Sequence, residues 1–97
     1  MSEEIVAMAV MQAHDGKEQE LEATLREFYE MLKRKGYSRD QLFRHGARVF
    51  VNVRRWVSAQ TRQEAHEDPD VHRYWARLGN ICDMKMICER LEELKQT

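Results

Sequence analysis

The sequence predicts an α+β domain with the element order strand, helix, strand, strand, helical pair, strand. In Val49–Trp56, valines alternate with other residues, which is the period of a strand whose two faces meet different surroundings. In Lys17–Lys35, one apolar stripe recurs at helical spacing, at Leu21, Leu25, Phe28 and Leu32. This order predicts a ferredoxin-like βαββαβ fold, with a four-stranded antiparallel sheet covered by helices on one face.

The first half of the chain supplies the first strand, the long helix and a short second strand. Ile5–Ala13 is apolar and compact, as in a central strand. Asp15 and Glu18 are spaced like a capping box at the start of the helix, and Gly36 suits the residue that ends it. A short second strand is predicted at Gln41–His45, before a tight turn into the third strand.

A helical pair follows the third strand. Asp68 is a favourable N-cap residue, and Pro69 falls at the first helical position. The apolar and aromatic residues of the second helix recur at core-type spacing, at Val71, Tyr74, Trp75 and Leu78. We therefore expect both aromatic side chains of this helix to pack in the core.

The last strand is predicted at Ile81–Cys88, with Met84 and Met86 on one face because they are two residues apart. A short tail helix is expected at Glu89–Gln96. Methionine, lysine, glutamate and leucine are good helix formers, so a single helix over 84–95 is the competing prediction.

Length and charge restrict the classes of function. Ninety-seven residues form one domain, spanning 1–97. The 16 basic and 17 acidic side chains leave a net charge of −1, whereas nucleic-acid and anionic membrane surfaces usually require a basic excess. The sequence has no long apolar run and no signal-peptide pattern, so a cytoplasmic location is expected.

The stretch from the third strand to the last helix carries a family resemblance. The residues concerned are the strand ending in Trp56, the Ala65-His66 pair, and the Pro69–Val71 helix start followed by Tyr74. This pattern resembles the antibiotic biosynthesis monooxygenase family of the dimeric α+β barrel superfamily. The resemblance implies a homodimer in which two sheets pack face to face. It also implies oxygenation of a small aromatic or quinol-like compound without metal, flavin or another cofactor.

The resemblance places candidate site residues on the third strand. Asn52 and Trp56 are four residues apart on one face. In the family such a pair lines the substrate pocket, where the amide can donate to a developing oxyanion and the indole forms an apolar wall. Arg54 lies between them and would bind a carboxylate or phenolate if that face forms a pocket, or face solvent if it does not. His66 and Tyr74 are weaker substrate-binding candidates.

Other interpretations remain open. In the family a pocket tyrosine lies in the segment after the strand tryptophan, but here residues 57–63 contain none. This favours a non-catalytic ligand-binding or accessory domain on the same fold. A structural role for the Asn52 face, at a half-exposed surface or a dimer edge, is the further alternative. If Asn52 faces a pocket, Asn52→Ala should leave stability nearly unchanged.

No metal or haem site is expected. His66 and His72 are six residues apart, rather than the four that place two ligands on one helix face. The superfamily also contains haem-degrading enzymes, which require an asparagine, a tryptophan and a histidine. Aligned on the Asp68-Pro69 helix start, those three places hold Ala9, His66 and Ala76 in this chain.

Overall fold

A computed structural model describes residues 4–95. The predicted element order is confirmed: β1 Ile5–Ala13, α1 Glu18–Arg34, β2 Ser38–His45, β3 Val49–Trp56, α2 Ala59–His66, α3 Pro69–Gly79 and β4 Cys82–Leu91. The four strands form one antiparallel sheet in the order β2-β3-β1-β4. No helix within the described residues is both long and apolar enough to cross a membrane.

The core lies between the helices and one face of the sheet. The stripe predicted for α1 is buried, and it packs with Met11 of β1 and Phe50 of β3. Register pairs Met11 with Phe50 and Ile5 with Trp56, so these side chains share the face under the helices. The two faces of β3 therefore have different surroundings, as the alternation predicted.

The opposite face, here called the open face, is covered by no element among residues 4–95. Val10 of β1 pairs with Val51 of β3, which pairs in turn with Phe43 of β2. Met8 and Val53 form the adjacent pair. The valines are only half-buried, and Phe43 is 51% exposed. A continuous apolar surface is thus left at the protein exterior.

Strand β2 begins at Ser38, three residues before the predicted start at Gln41. The polar sequence of Ser38–Asp40 gave no strand signal. These residues nevertheless pair with the end of β3, where Asp40 lies opposite Arg54 and Ser38 lies opposite Trp56. The strand is extended because β3 offers backbone partners and an opposite charge across the pair.

Strand β4 overturns three expectations. Residues 84–91 are strand and not helix, because pairing with β1 outweighs their helix propensity. The predicted tail helix is also wrong, since residues 92–95 have no regular structure and Gln96 lies outside the described residues. A register shift places Met84 opposite Met11 and Met86 opposite Val10. The two methionines therefore lie on different faces, as a β-bulge requires.

The predicted cap of α3 is confirmed, and the predicted cap of α1 is wrong. Asp68, which precedes Pro69, accepts a hydrogen bond from the backbone N–H of Asp70. Helix α1 has Lys17 as its N-cap residue, and no side chain caps it. Asp15 instead forms an ion pair with Arg48 at 2.9 Å, so its carboxylate is engaged outside the helix.

Candidate active site

A cavity of about 400 Å³ lies between the sheet and helices α2 and α3. Its floor is formed by the small side chains Ala7 and Ala9 of β1, which leave space above the sheet. Trp56 of β3 and Trp75 of α3 form aromatic walls, and Ile87 of β4 lies at its outer edge. The volume is within the range of small-molecule sites, roughly 300–1,000 Å³.

A buried carboxylate organises the polar side of the cavity. The side chain of Asp40 is fully buried, and both of its oxygens accept hydrogen bonds. Ser38 Oγ donates to Oδ1 at 2.8 Å, while Asn52 Nδ2 and Arg54 Nε donate to Oδ2 at 3.0 and 2.6 Å. A buried charge is tolerated when it is paired and fully hydrogen-bonded, and Asp40 meets this condition.

Asn52 lines the cavity, but its amide nitrogen is engaged within the protein. Nδ2 donates to Asp40 Oδ2 and also to the backbone carbonyl of Gln41, at 3.2 Å. A carboxylate only accepts, so the nitrogen of the amide and not its oxygen must face Asp40. Oδ1 accepts no hydrogen bond from any residue among 4–95. The amide therefore presents an acceptor to the cavity, in contrast to the donor role expected from the resemblance.

Arg54 is held between aromatic rings. Its Cζ lies 5.1 Å from the ring centre of Trp56, 5.3 Å from that of Phe28 and 5.6 Å from that of Tyr29. These distances are those of cation–π contacts. Nε is paired with Asp40, whereas Nη1 and Nη2 donate to no described residue. The sequence left open whether Arg54 faces a pocket or solvent. Its side chain is 13% exposed and lines the cavity, so Arg54 faces the pocket.

His66 lies at the cavity rim between the two tryptophans. Its ring meets Trp56 edge-on at 5.9 Å and Trp75 edge-on at 5.4 Å between ring centres. Partial burial, and then the positive charge of Arg62, lower the pKa of His66 below its ordinary value. The imidazole is therefore unprotonated near neutral pH and offers a free acceptor nitrogen.

The two aromatic residues of α3 have different surroundings. Tyr74 packs in the core as predicted, stacked on Phe28 with ring centres 5.0 Å apart, and it does not line the cavity. Its suggested role in substrate binding therefore finds no geometric support. Trp75 faces the sheet, as its spacing predicted, but it is 39% exposed because the cavity lies beneath it. Trp75 is a wall of the site that the sequence assigned to the core.

Two further charged residues at the rim were not predicted from the sequence. Arg62 of α2 and Glu89 of β4 both line the cavity, and their charged groups are 3.6 Å apart. Neither position follows a motif, and the tail helix predicted for residue 89 would have placed Glu89 elsewhere. Among the described residues, no group of three or more histidine, cysteine, aspartate or glutamate side chains could hold a metal ion.

Known structures with the same fold come from several bacteria. SnoaB from Streptomyces nogalater, a cofactor-independent oxygenase, superimposes with a TM-score of 0.79 at 17% identity, covering 98% of this chain and 100% of SnoaB. Rv0793 from Mycobacterium tuberculosis gives a TM-score of 0.75 at 15% identity, with 96% and 100% covered. Protein SO0527 from Shewanella oneidensis gives 0.73 at 18% identity, with 86% and 84% covered.

At the level of sequence, no curated protein matches this chain. The family model for antibiotic biosynthesis monooxygenase matches residues 4–78. This range includes β1, α1, the β2–β3 hairpin and nearly all of the helical pair, and with them the residues of the aromatic wall and the buried carboxylate. The chain therefore belongs to the antibiotic biosynthesis monooxygenase family.

Proposed function

We propose that the protein is a cofactor-independent monooxygenase that acts on a small, flat aromatic or quinol-like compound. The observation that carries this proposal is the cavity itself, where two tryptophan walls meet the polar atoms of Asn52 and Arg54. Aromatic walls fit a flat ring, and a few convergent polar groups fix its orientation. The similarity in fold to SnoaB, a cofactor-independent oxygenase, supports the same class of reaction.

The chemistry rests on the substrate's own reactivity with O₂. Proton loss from a ring CH₂ group next to an aromatic carbonyl gives an electron-rich anion, which adds O₂ and a proton to form a hydroperoxide. Loss of water converts that carbon to a carbonyl, so one oxygen atom enters the product and the other leaves as water. His66, unprotonated near neutrality, is a cavity group that can accept the first proton.

A ligand-binding or accessory domain without turnover is the second candidate. Two observations favour it: the engaged amide nitrogen of Asn52, and the absence of a tyrosine in residues 57–63. A site with an aromatic wall and an acceptor can bind a flat phenol without stabilising a transition state. The cavity serves both functions, so turnover is the property that separates them.

We further propose that the protein is a homodimer joined through the open face. The apolar pairs centred on Val51, which include Val10 and Phe43, form the surface that a second copy would cover. An exposed apolar face of this kind on a 97-residue chain indicates an interaction surface, because a small domain gains stability by burying it. Association through this face leaves the cavity on the helix side of each protomer.

Oxygen uptake tests the proposed activity. Purified protein is incubated with hydroquinones and polycyclic phenols in ¹⁸O₂, with a chelator present. We expect substrate-dependent uptake above the spontaneous rate and one labelled oxygen atom per product molecule. Arg54→Gln should lower the uptake, and Arg55→Gln is its matched control, because Arg55 follows Arg54 on the same strand but lies on the other face. Ligand binding without uptake above the spontaneous rate would reject the monooxygenase and leave the accessory domain.

A further inference from the structure

We propose that the cavity recognises an aromatic ring with an ionised oxygen next to a hydroxyl group, and that Arg54 and not Asn52 binds the ionised oxygen. In this arrangement the Nη groups of Arg54 donate to the anion, and Asn52 Oδ1 accepts from the neighbouring hydroxyl. Asp40 is a positioning residue that holds both side chains. The inference rests on the proposed function, because it specifies the substrate class of the same site.

Arg54 has donors that no described residue uses. Nε is committed to Asp40, and aromatic rings flank the guanidinium within 5.6 Å of Cζ. The N–H groups of Nη1 and Nη2 remain available as donors. Because Arg54 lines the cavity, an acceptor bound there can meet these N–H groups.

The charges around the cavity favour an anion at Arg54. Asp40 compensates the arginine, but its carboxylate is fully buried, and both oxygens already accept hydrogen bonds. The Asp40–Arg54 pair therefore presents its positive end to the cavity. Glu89 is at the rim, 73% exposed and adjacent to Arg62, so solvent screens its charge.

Asn52 determines what accompanies the anion. Its Nδ2 hydrogens are used by Asp40 and by the Gln41 carbonyl, so the cavity meets an acceptor. An acceptor repels an ionised oxygen and favours an O–H group. Asn52 and Arg54 both bind Oδ2 of Asp40, which keeps their two polar groups close together. That closeness matches substituents on adjacent carbons of one ring.

The test compares two ligands that differ in charge. Isothermal titration calorimetry measures the Kd of 1-hydroxy-2-naphthoate and of its neutral isostere, 1-hydroxy-2-naphthamide, with the full-length protein. We expect the carboxylate to bind at least about tenfold tighter, which is about 1.4 kcal/mol, since hydrogen bonds to a charged group are stronger than those to a neutral one. Replacing the hydroxyl by methoxy in 1-methoxy-2-naphthoate should weaken binding several-fold, because Asn52 Oδ1 loses its donor.

Variants assign the effect to the named residues. Arg54→Lys keeps the charge but replaces three nitrogens by one, which Asp40 draws away from the ligand, so the preference for the carboxylate should fall to about threefold or less. Asp40→Asn removes the negative charge that compensates Arg54, so the preference for the carboxylate should rise while affinity for the amide is retained, a change that a purely structural role would not produce. Arg55→Gln, on the opposite face, should keep the wild-type preference.

The outcomes separate this inference from the proposed function. Equal affinity of the wild-type protein for both naphthalene ligands would overturn the anion inference without any variant, even if the protein oxygenates a phenol. Binding of neither ligand would count against the cavity as a site for flat aromatics, and so against both proposals. An unchanged preference in Arg54→Lys, or its loss in Arg55→Gln, would assign the anion to another group.

Discussion

The two faces of β3 depart from the usual distribution of residues in opposite ways. Under the helices, where apolar side chains are expected, the strand carries Asn52 and Arg54 with their buried partner Asp40. On the open face, where polar side chains are expected, it carries valines that are only half-buried. Buried polar groups and exposed apolar surfaces are the features that mark function. One face thus indicates a ligand site and the other a protein partner.

The largest effect is expected on the open face. Val51→Asp places a carboxylate in the middle of an apolar surface that the proposed dimer buries. We expect the free energy of unfolding to fall by roughly 3 kcal/mol or more, because a buried carboxylate without a partner is strongly unfavourable. Light scattering at micromolar concentration should show loss of the dimer, and denaturation should no longer depend on protein concentration.

Ala23→Asp is the control for this substitution, since Ala23 lies on the exposed side of α1. It introduces the same charge and should leave both assembly and stability within about 1 kcal/mol of the wild type. If the wild-type protein is monomeric at micromolar concentration and its unfolding does not depend on concentration, the proposed dimer is wrong. The open face would then not be a protein interface.

The helix face should respond to Asn52→Ala. The sequence alone led us to expect little loss of stability, but the structure shows that Asn52 donates to the buried carboxylate of Asp40. We now expect a loss of about 1–3 kcal/mol, because the substitution leaves a buried acceptor short of a donor. Urea denaturation measures the loss. Asn80→Ala, at the exposed C-cap of α3, should cost much less, and equal costs would mean that the polar cluster adds no stability.

Helix α3 offers a smaller contrast between a cavity wall and the core. Trp75→Ala should lower the free energy of unfolding by only about 1 kcal/mol, since the indole is partly exposed above the cavity. Val71→Ala, in the same helix and fully buried away from the cavity, should cost about 1.5–3 kcal/mol. Thermal denaturation ranks the two variants. If Trp75→Ala were the more damaging, Trp75 would belong to the core, as its spacing first suggested.

The fold could be predicted from the sequence because periodicity records which face of each element is buried. The alternation in β3 predicted two faces with different surroundings, and the stripe in α1 identified the buried side of that helix. The register shift in β4 could not be predicted, since a bulge is set by pairing with β1 and leaves no local signal. That shift, and the strand that replaced the predicted tail helix, bring Met84 and Glu89 to the cavity.

The site was predicted only in part, for a related reason. Asn52 and Trp56 are four residues apart on one strand face, and the family resemblance identified this pair. Asp40 was missed because its importance depends on a residue in another strand, although counting outward from the turn at Gly46 would have placed it opposite Arg54. The orientation of the Asn52 amide depends on Asp40, which accepts a hydrogen bond from Nδ2. Without Asp40, the sequence could not predict that Asn52 presents an acceptor rather than a donor to the cavity.

The smallest predicted effect concerns His66 at the rim between the two aromatic walls. Its pKa is lowered in the folded protein, first by partial burial and then by the charge of Arg62. The unfolded chain therefore binds more protons than the folded one once the pH falls below the ordinary histidine pKa of about 6.5. The stabilisation that this group provides is complete above that pH and is lost as the pH falls toward the lowered folded-state pKa.

Melting temperatures measured between pH 7.5 and 5.5 test this dependence. The wild type should lose stability on acidification slightly more steeply than His66→Asn, because the variant cannot take up that proton. His45→Asn, at the exposed end of β2, serves as the control and should keep the wild-type slope. If His66→Asn keeps the full slope, His66 titrates alike in the folded and unfolded chains. That result would contradict the lowered pKa on which the proposed role of His66 as a proton acceptor depends.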